Sequence, residues 1–372
     1  MQILNRLFLL LIVVISANTA YGLEVRRLHF FQRSTAMGGA FTAVADGQET
    51  IVYNPAGLLI ENVDWSLSFP LFWIAYNDLT KNLSNGLDDL DYGDEKSLNK
   101  VPGERAYLDV QLGFPFWFHP NSGNFVGISG EFWLEIVAPI QTIIPMIHLE
   151  IVEQYVGEYG TAWELWDSGF FIGATAKVIK RSGVFTDMSL IKYNALVTDN
   201  IAESYQNLKD EYGSETPPVK FSLDFGMLYR FDLSRWNPRI GLSILDVMGV
   251  DFDELGQMKQ LNSLGFAISN SWEEVHVTCS VDYQDFTYDY FSDGSLRRRL
   301  NVGFEAAVKK TPDNSRVFAI QLGLRELHYI SYGFIVRLGV FETSYVRWVE
   351  NYGTENHSEL DTRYMMTLSL VF

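Results

Sequence analysis

From about Val63 to its end this chain alternates apolar and polar residues with a period of two, and that pattern limits what it can fold into. Period-two alternation puts every second side chain on one face of an extended strand. Val219, Phe221, Leu223, Phe225, Met227, Tyr229 and Phe231 alternate with Lys220, Ser222, Asp224, Gly226, Leu228 and Arg230. Leu300, Val302, Phe304, Ala306 and Val308 form another stripe, and others run through Leu108–Phe116, Val126–Leu134, Phe170–Val178, Ile240–Ile244, Val275–Tyr283, Phe318–Leu324 and Tyr332–Val340. The longer stripes match the roughly 9–11 residues of a tilted transmembrane strand, where soluble strands average nearer about 5–6. A water-soluble sandwich also alternates. Here, however, the second face repeatedly carries Gly, Ser, Thr and ionised groups, as a wet barrel lumen does. The fold class expected is all-β, a transmembrane antiparallel barrel.

Composition agrees with a barrel that has aromatic girdles: 47% of residues are hydrophobic and 15% aromatic. Met1 to Gly22 reads as a cleaved secretory signal, with Arg6 as the positive flank, Leu7 to Ala17 as the apolar core and Ala20-Tyr21-Gly22 at the cleavage site. After it no apolar run approaches the roughly 20 residues of a membrane helix. A net charge of −18 argues against nucleic acid as a partner. The single Cys279 excludes a disulfide framework within the chain. It shares the apolar stripe of Val277 and Val281, facing lipid.

Chemistry is not signalled. The six histidines are scattered without metal-ligand spacing, so no metal or cofactor is expected. His276, Thr278 and Ser280 share one inward face, but residues two apart on a strand are already about 6.6 Å apart. A hydrogen bond from His276 to Ser280 is out of reach, another strand would have to supply the partner, and no motif identifies one, so the chain does not read as an enzyme. Inward Lys177, Lys220, Arg230 and Lys309 are the cations available to an acidic ligand.

Asn82–Lys100, Thr198–Pro218 and Asp251–Gln260 read as acidic or polar loops. The excursion 136–159 is different, because Ile144, Ile147, Ile151 and Tyr155 fall at helical spacing; a strand or loop that packs on a neighbour is the equal alternative. The final stretch places Tyr364, Met366, Leu368, Leu370 and Phe372 on one face and ends on that Phe. An amphipathic strand closing on an aromatic resembles the signal read by barrel-assembly machinery.

Ahead of the stripes lies a compact run from Arg33 to Leu58. Gly38-Gly39 allows a turn that a side chain would block. Asp46-Gly47-Gln48-Glu49 fits a capping box, and Asn54-Pro55 fits an N-cap followed by the first helical position. Gly57 fits a left-handed end to that turn.

Met37-Gly38-Gly39-Ala40, then Ala45-Asp46, then Tyr53-Asn54-Pro55-Ala56-Gly57-Leu58, resembles the N-terminal signature of the FadL/TodX family. Those are outer-membrane barrels that take up long-chain fatty acids and other hydrophobic compounds. The resemblance covers about the first tenth of the chain. It implies a signal peptide at 1–22, a hatch at 23–62 that plugs the lumen, and a barrel of about 14 strands over 63–372. The stripes alone give about twelve to fourteen strands. The resemblance further implies a bacterial outer-membrane location, contact with outer-membrane lipid, and ligand-gated movement of a hatch built on Gly38, Gly39, Asp46, Asn54, Pro55 and Gly57. Long outer loops of this family form a hydrophobic groove, for which Ile144, Ile147, Ile151 and Tyr155 are the candidates. The related PorV-like barrels share the signature and serve protein secretion, which is the alternative reading. A general polar porin fits the signature less well.

Overall fold

The computed structural model describes residues 31–47, 49–60, 65–77, 105–118, 124–137, 146–166, 168–189, 192, 195–196, 201–213, 218–231, 235–287, 295–310, 315–351 and 360–371. The expected signal peptide, the Asn82–Lys100 loop, Ile144 and Phe372 lie outside them.

Among the described residues, fourteen strands form the wall. They are β1 (Trp65–Asn77), β2 (Arg105–Phe118), β3 (Asn124–Val137), β4 (Met146–Leu165), β5 (Phe170–Ser189), β6 (Val219–Arg230), β7 (Arg239–Leu245), β8 (Leu261–Trp272), β9 (Val275–Gln284), β10 (Leu300–Lys310), β11 (Ser315–Arg325), β12 (Tyr329–Leu338), β13 (Phe341–Asn351) and β14 (Leu360–Val371). Each pairs antiparallel with its neighbours in sequence, and β1 pairs with β14, so the sheet closes and has no free edge. The stripe read over Tyr332–Val340 ends as a strand at Leu338, and a tight turn follows in which Gly339 has φ +64°.

The alternation works as the sequence implies. On β6, Phe221, Phe225 and Met227 face outward and are exposed, while Ser222 and Asp224 face inward and are buried. On β10, Val302 and Phe304 face out, and Gly303 and Glu305 face in. A closed sheet with an apolar outside and a polar inside is the arrangement of a membrane barrel, because strands in hydrocarbon must satisfy their backbone groups internally.

Two corrections concern the long strands β4 and β5, of 20 residues each. Ile147, Ile151 and Tyr155 do not form a helix. They belong to β4, which is paired on both sides with β3 and β5, so the strand alternative is the one realised. Their spacing of four is even, so it suits one strand face as well as one helix face. Both strands also exceed the roughly 9–11 residues that cross a bilayer. Outward-facing Leu149, Ile151, Val184 and Met188 on their far ends are covered by Leu208, Tyr205 and Tyr212 of helix α3 (Ile201–Tyr212). The Thr198–Pro218 segment, expected as a polar loop, therefore contains an amphipathic helix. Tyr205, Leu208 and Tyr212 stand at helical spacing.

A third correction concerns Asp251–Gln260. Its polar residues Asp251, Asp253 and Gln257 are exposed as expected, but its apolar residues are not. It folds inward as a flap, with Val250–Asp251 laddered to Gln257–Met258 and a 3-10 turn at Asp253–Leu255.

Candidate functional site in the barrel lumen

Residues 31–60 lie against the inner wall of the barrel. Helix α1 (Gln32–Ala36) is followed by Gly38 and Gly39 at φ +69° and +80°, which reverse the chain. Helix α2 (Thr50–Tyr53) comes next. Asn54 then caps a 3-10 turn over Pro55–Leu59, its Oδ1 accepting from Ala56 N at 3.1 Å with Pro55 at the first position. That much follows the expectation.

Two local expectations fail. Asp46 and Glu49 do not form a capping box, since α2 has no side-chain cap. Asp46 is paired with Arg33, and Glu49 accepts from Arg33 N at 3.2 Å and Ser34 N at 2.8 Å. Tertiary partners outcompete the local motif. Gly57 is not left-handed either. A Cβ there would stand 2.0 Å from Ala45 O, so close approach of the chain explains the glycine.

The segment is tied to the wall mainly through its backbone. Asp282 on β9 accepts from Phe41 N at 2.9 Å and Thr42 N at 2.8 Å. Ser280 donates to Ala40 O at 2.7 Å, Gln284 to Gly39 O at 2.8 Å, Ser331 to Ala36 O at 3.0 Å and Arg239 to Val44 O at 2.9 Å. Asn54 Nδ2 donates to Thr42 O at 2.9 Å and Met227 O at 3.1 Å. A buried ion cluster adds side-chain ties. Arg33 meets Glu305 of β10 bidentately at 2.5 and 2.7 Å, and Arg316 reaches Asp46 at 3.2 Å. Bidentate guanidinium pairs fix orientation as well as charge. Burial pushes the Glu49 carboxyl up to about 7, against the opposing pull of Arg33.

Sequence reasoning missed a belt of inward glycines. Gly173 pairs with Gly226, Gly241 with Gly265 and Gly303 with Gly323 across adjacent strands. A Cβ on each would strike the segment: Pro55 C at 2.4 Å from Gly173, Asn54 Oδ1 at 2.1 Å from Gly226, Thr42 O at 2.5 Å from Gly241 and Gly38 N at 2.1 Å from Gly323. The signal was visible, because these glycines occupy positions on the polar stripes where a lumen normally carries side chains.

Along β4–β6, register stacks the inner face in layers. Above the glycine layer, Lys177 pairs with Asp224 at 2.8 Å and Asp246 at 2.6 Å, and Ser222 donates to Asp246 at 2.7 Å. Above that charged layer sits an apolar one, in which Val156 and Ile179 pack against Val250, Phe252, Leu255 and Met258 of the flap. Arg181 lies over the Phe252 ring at 4.1 Å and donates to Leu255 O at 3.0 Å. Across the lumen, Trp73, Tyr107, Val346, Trp348 and Met365 form a second inward apolar cluster with Ala36.

The sequence-derived candidates thus separate. Gly38, Gly39, Asp46, Asn54, Pro55 and Gly57 lie together in the luminal segment. Ile151 and Tyr155 face outward, Ile151 beneath α3 and Tyr155 exposed. Of the candidate cations, Lys177 is held by two aspartates, Lys220 stands 4.0 Å from Asp253, and Arg230 lies over the Phe171 ring. They do not converge.

No protein-family model matches the chain, and no curated protein does. Among solved structures it is similar to the toluene transporter TbuX of Ralstonia pickettii, with a TM-score of 0.51 at 11% identity over 92% of this chain and 98% of that one. The toluene transporter TodX of P. putida aligns at 10% identity over 93% and 99% of the two chains, with a TM-score of 0.41. The chain has the barrel fold of TbuX, which is the fold that its FadL/TodX-like N-terminal run implies.

Proposed function

We propose that this protein is an outer-membrane barrel that takes up hydrophobic compounds, with residues 31–60 acting as a hatch in its lumen. The observation that carries the reading is the apolar layer of Val156, Ile179, Val250, Phe252, Leu255 and Met258. It lies on the inner wall, towards the end of the barrel with the longer connections. Outer-membrane barrels carry their longer loops outside and short turns on the periplasmic side, so this layer faces the outer mouth. A polar solute gains nothing from such a wall, whereas an apolar one leaves water for it once residues 250–258, which bury Val156 and Ile179 here, move aside.

The hatch reading is supported by the way the segment is held. Its many ties to the wall argue against expulsion as a body. Gating then consists of a local rearrangement, which a ligand drives by binding one arrangement better than the other. Gly38-Gly39 and Asn54-Pro55 are the joints for it. For substrates, the resemblance favours long-chain fatty acids, and the name of the similar TbuX favours toluene-like aromatics.

The test is uptake of labelled toluene and of a labelled long-chain fatty acid by a bacterial host lacking its own transporter. The host expresses the protein or its Asn54→Ala/Pro55→Ala form, each confirmed in the outer membrane. Uptake above the empty host, altered by the double change, supports the proposal. Uptake of neither compound from an inserted barrel refutes it.

A further inference from the structure

The connection between β7 and β8 has the composition of a solvated loop, yet it is buried at an apolar layer inside the barrel. Leu245 pairs with Leu261, so residues 246–260 hang as a flap from one pair of the wall ladder. The flap has its own short ladder and turn. Positive φ angles mark its root, at Asp246 (+51°) and Gly249 (+61°), and its tip, at Asp253 (+58°) and Gly256 (+84°). It is two-faced. Val250, Phe252, Leu255 and Met258 are buried, and Asp251, Asp253 and Gln257 are exposed.

We propose that this flap is a built-in surrogate ligand. It occupies a luminal binding site for apolar molecules bearing an aromatic ring, and such a molecule binds by displacing it. The inference rests on the uptake reading, which supplies the direction of approach from the outer mouth.

The contacts that hold the flap are ones a free molecule can reproduce. Val156, Ile179 and half-buried Phe185 offer an apolar wall. Arg181 offers a guanidinium to a ring face, as it does to Phe252, and N–H donors to an oxygen, as it does to Leu255 O. Gln154 on the adjacent strand fixes that guanidinium, its Oε1 accepting from Nε at 3.0 Å and from Nη2 at 2.7 Å. Arg181 is therefore pre-set for a ring whether or not Phe252 is present. The tip has two polar ties, the Arg181 bond to Leu255 O and the long 4.0 Å pair of Lys220 with Asp253, and the closer ion pair of the flap lies apart from this site. Asp246 at the root binds Lys177 and Ser222 in the layer below. The tip can thus leave the wall while the root stays anchored.

Competition of this kind lowers apparent affinity by the fraction of molecules whose flap is out. The experiment uses the full chain in detergent micelles and N-phenyl-1-naphthylamine, an aromatic probe that brightens in apolar surroundings. Phe252→Ala/Leu255→Ala removes flap anchors and leaves the wall intact. Met248→Ala, at an exposed position outside the apolar layer, is the control. The double variant is expected to bind the probe at least about tenfold more tightly, and the control like the unaltered protein. In the unaltered protein, amide hydrogen exchange at 250–258 is expected to accelerate when the probe saturates. That second measurement needs no variant to fold.

Equal or weaker binding by the double variant overturns the proposal. So does exchange at 250–258 that slows or stays constant with probe bound. Cellular uptake is scored separately. A barrel that transports with an immobile flap loses this inference alone, and one whose flap is displaced without uptake loses only the transport reading.

Discussion

Gly323→Ala tests most directly whether the luminal segment is seated by the glycine belt. Position 323 is an ordinary extended strand site, paired with Gly303 on one side and Ser331 on the other, so alanine suits the wall itself. The new methyl carbon would stand 2.1 Å from Gly38 N and 2.4 Å from both Met37 C and Ser331 Oγ. Two of those atoms are backbone of the luminal segment, which must move by an ångström or more because the laddered wall cannot. Overpacking of this kind costs roughly 1–3 kcal/mol. The shift also pulls on the bonds from Ser331 to Ala36 O and from Gln284 to Gly39 O, each worth about 1 kcal/mol. Together these destabilise docking by roughly 3–5 kcal/mol, or at least about a hundredfold in the local opening equilibrium. Amide exchange at 36–44 should accelerate accordingly while the β10–β12 amides stay protected. In planar bilayers, single-channel conductance should rise. Gly157→Ala is the control, since nothing lies within 4 Å of its Cβ. Unchanged exchange at 36–44 in a folded Gly323→Ala barrel would refute the argument.

Other perturbations have defined outcomes. Asp282→Ala strips acceptors from Phe41 N and Thr42 N; docking should weaken by roughly 2–4 kcal/mol, read as faster exchange at those amides, with Asp282→Asn intermediate. Glu49 has its pKa raised from 4.5 to about 7 by burial. The docked form then binds a proton that the undocked form does not, so docking should strengthen as pH falls from about 7 to 4.5, by up to about 3 kcal/mol. Exchange at 31–54, corrected for intrinsic rate, measures this, and Glu49→Gln should remove the dependence. Leu208→Ala should release α3 from the outer ends of β4 and β5 at a local loss of roughly 2–3 kcal/mol, with exchange rising at 201–212 and the barrel melting unchanged.

The wall was legible because the information is local. Alternation at 219–231 or 300–308 states which face each side chain takes, and a strand with that pattern has one way to lie between lipid and lumen. Asn54-Pro55 and Gly38-Gly39 were legible for the same reason, since a cap and a left-handed turn involve neighbours a few residues away. The spacing at Ile147, Ile151 and Tyr155 misled because four is a multiple of two as well as nearly one helical turn. At Thr198–Pro218 the acidic composition hid the apolar positions Tyr205, Leu208 and Tyr212.

By itself the sequence determined most of the strands with their inward and outward faces, and the Gly38-Gly39 and Asn54-Pro55 turns of the N-terminal run. The tertiary structure decided what fills the lumen. Arg33 meets Glu305 across 272 positions of chain, and Asp282 holds amides 241 and 240 positions away. Neither partner has a local preference that points to the other. The same holds for the flap: whether Phe252 and Leu255 face water or Arg181 depends on a wall that exists only after β4 and β5 have closed into the barrel.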